Sequence, residues 1–384
     1  MTLEINRLTN DVQAMGQALT MREHQYARLI DRAQEWLDAY APRAAELQEA
    51  ARRVRAAVPT GEPINASHAL PRIPDTFTFI AADGSQIQPD RHTTALYHLI
   101  NIGSLVYRHG SGQAPEPRSH PQLGYDESDI YEDGLLVAGN LLDVRRDIAE
   151  ITELADLCAA EDEPETTVAA VDGTLILWVL EDLPAAGRDQ KINQYLSQLH
   201  RIRRCGASVC AFVSRPRHAD VARLLHLAHV EGDAERVNQE ESPLAHLPDR
   251  AIFGHLPGGA RSSLFVDSRP INQRYYRPEG QTVYFCYLNL ATADEEPVIA
   301  RVEMPLWVAE DADRLALIHA ALVAQARITG DYPYALARAD ELAFISGPER
   351  NHLTTMINTA LLRAGSRRAL SPKQYQKSRT RGGR

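Results

Sequence analysis

The residues best suited to chemistry are the acids of two short, similar runs. In I-A-A-D-G-S-Q (80–86) and V-A-A-V-D-G-T (168–174), an apolar, strand-like stretch delivers an aspartate, Asp83 or Asp172, followed by glycine and a hydroxyl residue. Carboxylates held at strand ends can share a divalent cation, because hard ions such as Mg²⁺ take oxygen ligands in fixed geometry. Asp-Gly is also an ordinary turn signal. The matched apolar strands before both copies are what favour the metal reading.

Further acids should come from helices packed over those strand ends. Glu150, in R-R-D-I-A-E (145–150), lies on an amphipathic helix expected over Gly134–Glu161, with Glu153 as its rival one turn on. Asp340, in D-Y-P-Y-A-L-A-R-A-D (331–340), stands among Leu336, Ala339, Ala343 and Phe344, where burying an acid is costly unless something pairs with it. Such a set can hold two divalent ions. One activates the attacking water and the other stabilises the leaving oxygen of a phosphodiester. Each helical acid also has an ordinary reading, as a solvated helix residue or, for Asp340, a salt bridge to Arg338 or Arg350.

The elements that must position these acids alternate strands with helices, which indicates an α/β sheet. Strands are expected at Phe77–Ala82, Thr93–Tyr107, Thr167–Val171, Ala207–Val213, Ser263–Val266, Thr282–Leu290 and Val298–Val302. Helices are expected at Lys191–Arg204, His218–His229, Asp311–Ile328, Ala335–Ile345 and Pro348–Ala364, and Gly110–Gly124 reads as loop. Residues 1–58 carry helical periodicity interrupted at Gly16 and Pro42, so an N-terminal helical region of two or three helices is expected. A Pro-rich linker, 59–75, leads to the main domain, 76–364, and a basic tail, 365–384, is expected to be disordered.

Composition narrows the class. The chain has 384 residues and a net charge of −10, and it contains no apolar run long enough to cross a membrane. The N-terminus lacks the layout of a signal peptide, and the four cysteines (158, 205, 210, 286) form no C-x-x-C pair, so a reduced, cytoplasmic protein is expected. Residues 351–384 hold eight Lys or Arg and no acid, a local basic arm suited to nucleic acid or a partner, or a solvated tail.

The ordered runs I-A-A-D-G-S-Q, V-A-A-V-D-G-T, F-V-S-R-P-R, Q-R-Y-Y-R-P, A-R-V-E-M-P-L-W-V-A and D-Y-P-Y-A-L-A-R-A-D together resemble the NurA nuclease family, from about Phe77 to Ile345. The resemblance implies an RNase H-like, PIWI-like mixed sheet flanked by helices. It implies Mn²⁺- or Mg²⁺-dependent cleavage of DNA, single-stranded or at duplex ends, with 5′→3′ exonuclease and single-strand endonuclease activity. It also implies a homodimer docked on a HerA-type hexameric translocase in end resection and double-strand break repair. Carried over by motif, Asp83, Glu150 and Asp172 become metal ligands, and Arg215 lies near the scissile phosphate. Relatives end the last motif in histidine where this chain has Asp340, which bears on metal preference.

Basic residues then fit a DNA path: Arg201, Arg203 and Arg204 at one helix end, and Arg215 and Arg217 after the next strand. Tyr275, Tyr276, Tyr332 and Tyr334 are candidates for stacking on unpaired bases, or for core packing. Two other readings stay open: a catalytically silent DNA- or partner-binding scaffold with the same fold, and an RNase H-like enzyme acting on RNA.

Overall fold

The computed structural model describes residues 8–91, 95–132, 134–182, 185–291 and 296–365. The basic tail from 366 onward lies outside the described residues. The chain forms two compact units, Pro71–Phe212 with Glu310–Arg384, and Met1–Leu70 with Val213–Ala309.

The first unit carries the candidate acids. Its main strands are β1 (Phe77–Ile87), β2 (His98–His109), β3 (Glu116–Gly124), β4 (Thr167–Asp172) and β5 (Ser208–Val213). Its longer helices are α1 (Asn140–Ala159), α2 (Ala185–Cys205), α3 (Ala312–Thr329), α4 (Tyr334–Ala343) and α5 (Gly347–Arg363). The sheet is mixed: β1 pairs antiparallel with β2 and parallel with β4, β2 pairs antiparallel with β3, and β4 pairs parallel with β5. Phe77–Ala82, apolar but for Thr78, is buried throughout, as befits a strand covered on both faces.

Two expectations change here. β1 does not end at Ala82: its antiparallel ladder with β2 runs on through Asp83, Gly84 and Ser85 to Ile87, opposite Leu99. The Asp-Gly pair is therefore no turn in this copy. It marks the level at which the parallel neighbour β4 stops. Residues 116–124, read as loop, form edge strand β3, and their exposed side chains give no apolar alternation to detect. Pro117 and Pro121 sit within that strand, in the positions an outer edge tolerates.

At the end of the strands away from the aspartates, His109 stacks on Phe77 with ring centroids 4.1 Å apart and is hydrogen-bonded to Gln325 at 2.7 Å. Burial pushes this imidazole down to about 4. A histidine whose folded value lies below its unfolded one, near 6.5, leaves stability intact above pH 6.5 and removes it as pH falls toward 4. The loss should amount to no more than about 3 kcal/mol. Melting temperature against pH should show this slope, and His109→Gln should flatten it; an unchanged profile would remove His109 as its source.

In the second unit, the helix Thr9–Tyr40 runs unbroken through Gly16, which had been expected to interrupt it. No other group lies within 4 Å of where a side chain on Gly16 would start, and a lone exposed glycine costs a helix only about 1 kcal/mol. Ala33 and Leu37 are buried, and Trp36 stacks on His229 of the helix Asp220–His229 at 4.2 Å. The linker contributes short strands, with Val58–Pro59 pairing to Phe265–Val266 and Ser67–His68 to Arg261–Ser262. Strands Val283–Asn289 and Ile299–Pro305 pair antiparallel and carry Arg301. That residue is fully buried: its guanidinium lies 3.5 Å from the centre of the Phe285 ring and bonds to Glu303, Asp220 and Asp267 at 2.8–2.9 Å.

Candidate metal centre

Strand register sets the first two acids side by side. β1 and β4 pair in parallel, with Thr78 opposite Thr167 and Ala82 opposite Val171, so Asp83 and Asp172 stand at the same level on adjacent strands. Residues level with one another on neighbouring strands project from the same face, and strand spacing is roughly 4.8 Å. On the other side of β1, Asp83 is paired with Gly103 of β2.

Gly103 admits the helix that brings the third acid. A side chain there would start 2.3 Å from the Ala339 carbonyl oxygen and the Ala343 amide nitrogen, so α4 lies directly on the strand backbone. Ser85 and Asn101, on the same face, fix the helix end by donating to the Ala343 carbonyl. Asp340 is thereby held beside the two strand aspartates and hydrogen-bonds with Asp83. The burial argument made for Asp340 does not hold, because the residue is exposed. Its place beside Asp83 and Asp172 rests on the close approach at Gly103.

The fourth acid arrives from the opposite face. Gly84, one residue on and pointing the other way, lies under α1; a side chain there would start 2.6 Å from both Glu150 Oε1 and Arg146 Cγ. Glu150 is 7% exposed and its charge acts on Asp83 and Asp172. Glu153 instead accepts a hydrogen bond from Ser104 Oγ at 2.8 Å and faces His120. Gly84→Ala should push Glu150 aside and lower cleavage by about 10–100-fold, the usual effect of misplacing a reacting group by about an ångström. Cleavage rate and melting temperature of that variant decide it; wild-type rates would mean that Glu150's position does not matter.

The electrostatics are those of a site short of positive charge. Burial, with the neighbouring charges of Asp172 and Asp340, pushes the Asp83 carboxyl up to about 6. Asp172 and Glu150 are likewise raised, mainly by burial. Glu150 Oε1 is buried and completes no hydrogen bond. Tyr332 donates its hydroxyl to Asp172, and its ring meets Phe212 edge-on at 5.3 Å. Among the described residues, no three His, Cys, Asp or Glu side chains close into a metal-binding group. The donors are nonetheless all carboxylates, suited to a hard divalent ion, and one buried carboxylate oxygen has no hydrogen bond.

The remaining sequence candidates are placed otherwise. Arg201, Arg203 and Arg204 end α2, which feeds the start of β5, whereas Asp172 is level with Phe212 near that strand's end. They are therefore at least roughly 13 Å away along the strands, and Arg201 is engaged with Asp156 and Gln198. Arg215 and Arg217 belong to the second unit, exposed in the turn after β5, and Arg215 has a left-handed backbone (φ 45°). Tyr276 is fully buried, so it packs a core and cannot stack on bases. Tyr332, a candidate for stacking or for core packing, hydrogen-bonds to Asp172.

A family model described as the NurA domain matches residues 77–345. The chain belongs to the NurA family. It is accordingly a DNA nuclease, and NurA nucleases are metal-dependent. The fold is also similar to that of the NurA nuclease from Sulfolobus solfataricus, with a TM-score of 0.52 at 11% identity, over 92% of this chain and 98% of that one. No curated protein sequence matches the chain. NurA nucleases thus share with it a mixed sheet flanked by helices, and among the described residues no helix is long and apolar enough to cross a membrane.

Proposed function

We propose that this NurA-family nuclease hydrolyses DNA phosphodiesters with two divalent ions, Mn²⁺ or Mg²⁺, held by Asp83, Asp172, Glu150 and Asp340. The observation that carries the reading is the level placement of Asp83 and Asp172 on adjacent parallel strands, with Asp340 and Glu150 brought in from opposite faces. Divalent ions, when bound, supply an activated water and charge neutralisation at the scissile phosphate. Asp83 and Asp172, fixed by strand backbone, set the position of that charge, and Tyr332 orients the Asp172 carboxylate. Arg215 and Arg217 are assigned to contacts with the DNA backbone, where cations make binding fall with salt. Family membership further supports 5′→3′ exonuclease and single-strand endonuclease action, a homodimer, and a HerA-type hexameric translocase as partner in end resection and double-strand break repair.

The test is cleavage of end-labelled single- and double-stranded DNA with Mn²⁺, Mg²⁺ or EDTA, alongside an RNA substrate. Metal-dependent loss of the DNA label supports the proposal. Cleavage that persists in EDTA would remove the metal mechanism, cleavage confined to RNA would transfer the site to that substrate, and no cleavage would favour a silent scaffold.

A further inference from the structure

We propose that Arg146 is a positioning residue that stands in for the metal: its guanidinium neutralises Glu150 in the metal-free protein and gives way when a divalent ion binds there. This rests on the reading of Glu150 as a ligand. The Arg146 stem crosses Gly84, its Cγ and Cδ lying 2.6 and 2.9 Å from where a side chain at that residue would start. Its Nε is 3.1 Å from Glu150 Oε1, its Nη2 donates to Asp147 Oδ1 at 2.9 Å, and the Asp143 charge also acts on it. One cation thus serves three acids on a single helix.

The pair differs from an ordinary helix ion pair in two ways. The 3.1 Å approach is misaligned, so neither Arg146 Nε nor Glu150 Oε1 completes a hydrogen bond. The two side chains also differ in exposure, the side chain of Glu150 being 9% exposed and that of Arg146 30%. Glu150 is therefore fixed, while Arg146 reaches solvent and can swing away across a glycine that offers it no obstacle. Divalent charge at Glu150 would repel the guanidinium at the distance it now occupies. Metal binding then includes the cost of displacing Arg146, and affinity is set partly by that exchange.

The experiment measures Mn²⁺ binding to the full chain without DNA, from the electron paramagnetic resonance of free Mn²⁺. Arg146→Met keeps the stem and deletes the charge, so it should bind Mn²⁺ roughly two- to fivefold more tightly, the equilibrium factor of a partly exposed ion pair. Arg146→Gln should tighten binding likewise, which guards against a folding defect in one variant, and Arg146→Lys should stay near wild type. Glu150→Gln should bind more weakly. Unchanged or weaker binding in both charge-deleted variants, with Glu150→Gln weakened, would overturn the role of Arg146 and leave the proposed function standing. Binding unaffected by Glu150→Gln, or absent in the wild type, would overturn both.

Discussion

Replacing Asp83 or Asp172 with asparagine is expected to reduce DNA cleavage by about a thousandfold or more while leaving the protein folded. Asparagine keeps the shape and can still accept the Gly84 amide that Asp83 Oδ1 accepts at 2.7 Å, so the strand has no reason to move. What is lost is an anionic oxygen at the point where the register brings two carboxylates level. The same change should leave melting temperature equal to or above that of wild type, because the acids disfavour one another's ionisation and removing one charge relieves the others. Cleavage rates and melting curves of the two variants check this. Substantial cleavage by both would end the metal reading of the strand aspartates.

Arg301→Met should have the largest effect on stability, about 3–5 kcal/mol. Glu303 and Asp267 are 0% and 2% exposed, and both accept hydrogen bonds from the Arg301 guanidinium. Arg269 still pairs with Asp267, but deleting the Arg301 cation removes the charge that Glu303 and Asp267 share in the interior, which costs more than the net worth of the intact pairs. Chemical denaturation at neutral pH measures the loss. Combining Arg301→Met with Asp267→Asn and Glu303→Gln should recover part of it, since neutral amides need no counter-charge. A loss below about 1 kcal/mol for the single change would show that water or rearranged neighbours compensate the acids.

Much of the site was legible because its signals are local. An apolar run leading into Asp-Gly specifies a buried strand and the acid it delivers, and two such runs specify two neighbours. The helical acids were readable as candidates from their spacing, although Glu150 and Glu153 could be told apart only by which strand each one meets. What escaped depends on distant partners. Nothing near Gly103 in sequence announces α4, some 240 residues on, although a glycine inside a strand does signal close approach by another backbone. Edge strand β3 was missed because exposure on both sides removes the alternation that identifies strands. Arg201, Arg203 and Arg204 looked close to the chemistry in sequence, yet a helix that feeds a parallel strand ends at the opposite edge of the sheet from that strand's own terminus.

The outer strand has a consequence for assembly. β3 pairs continuously with β2 through both Pro117 and Pro121, so these nitrogens, which carry no hydrogen, must lie on the outward side. A strand from another molecule laid along that side would find two of its carbonyls without donors. Arg118 and His120 add charge and bulk along the same stretch. The sheet is therefore capped against growth at this margin, and fibrillar self-association through it is discouraged by covalent chemistry rather than by a covering element. Any neighbour docking on this flank must be recognised by its side chains, not by extension of the hydrogen-bond ladder.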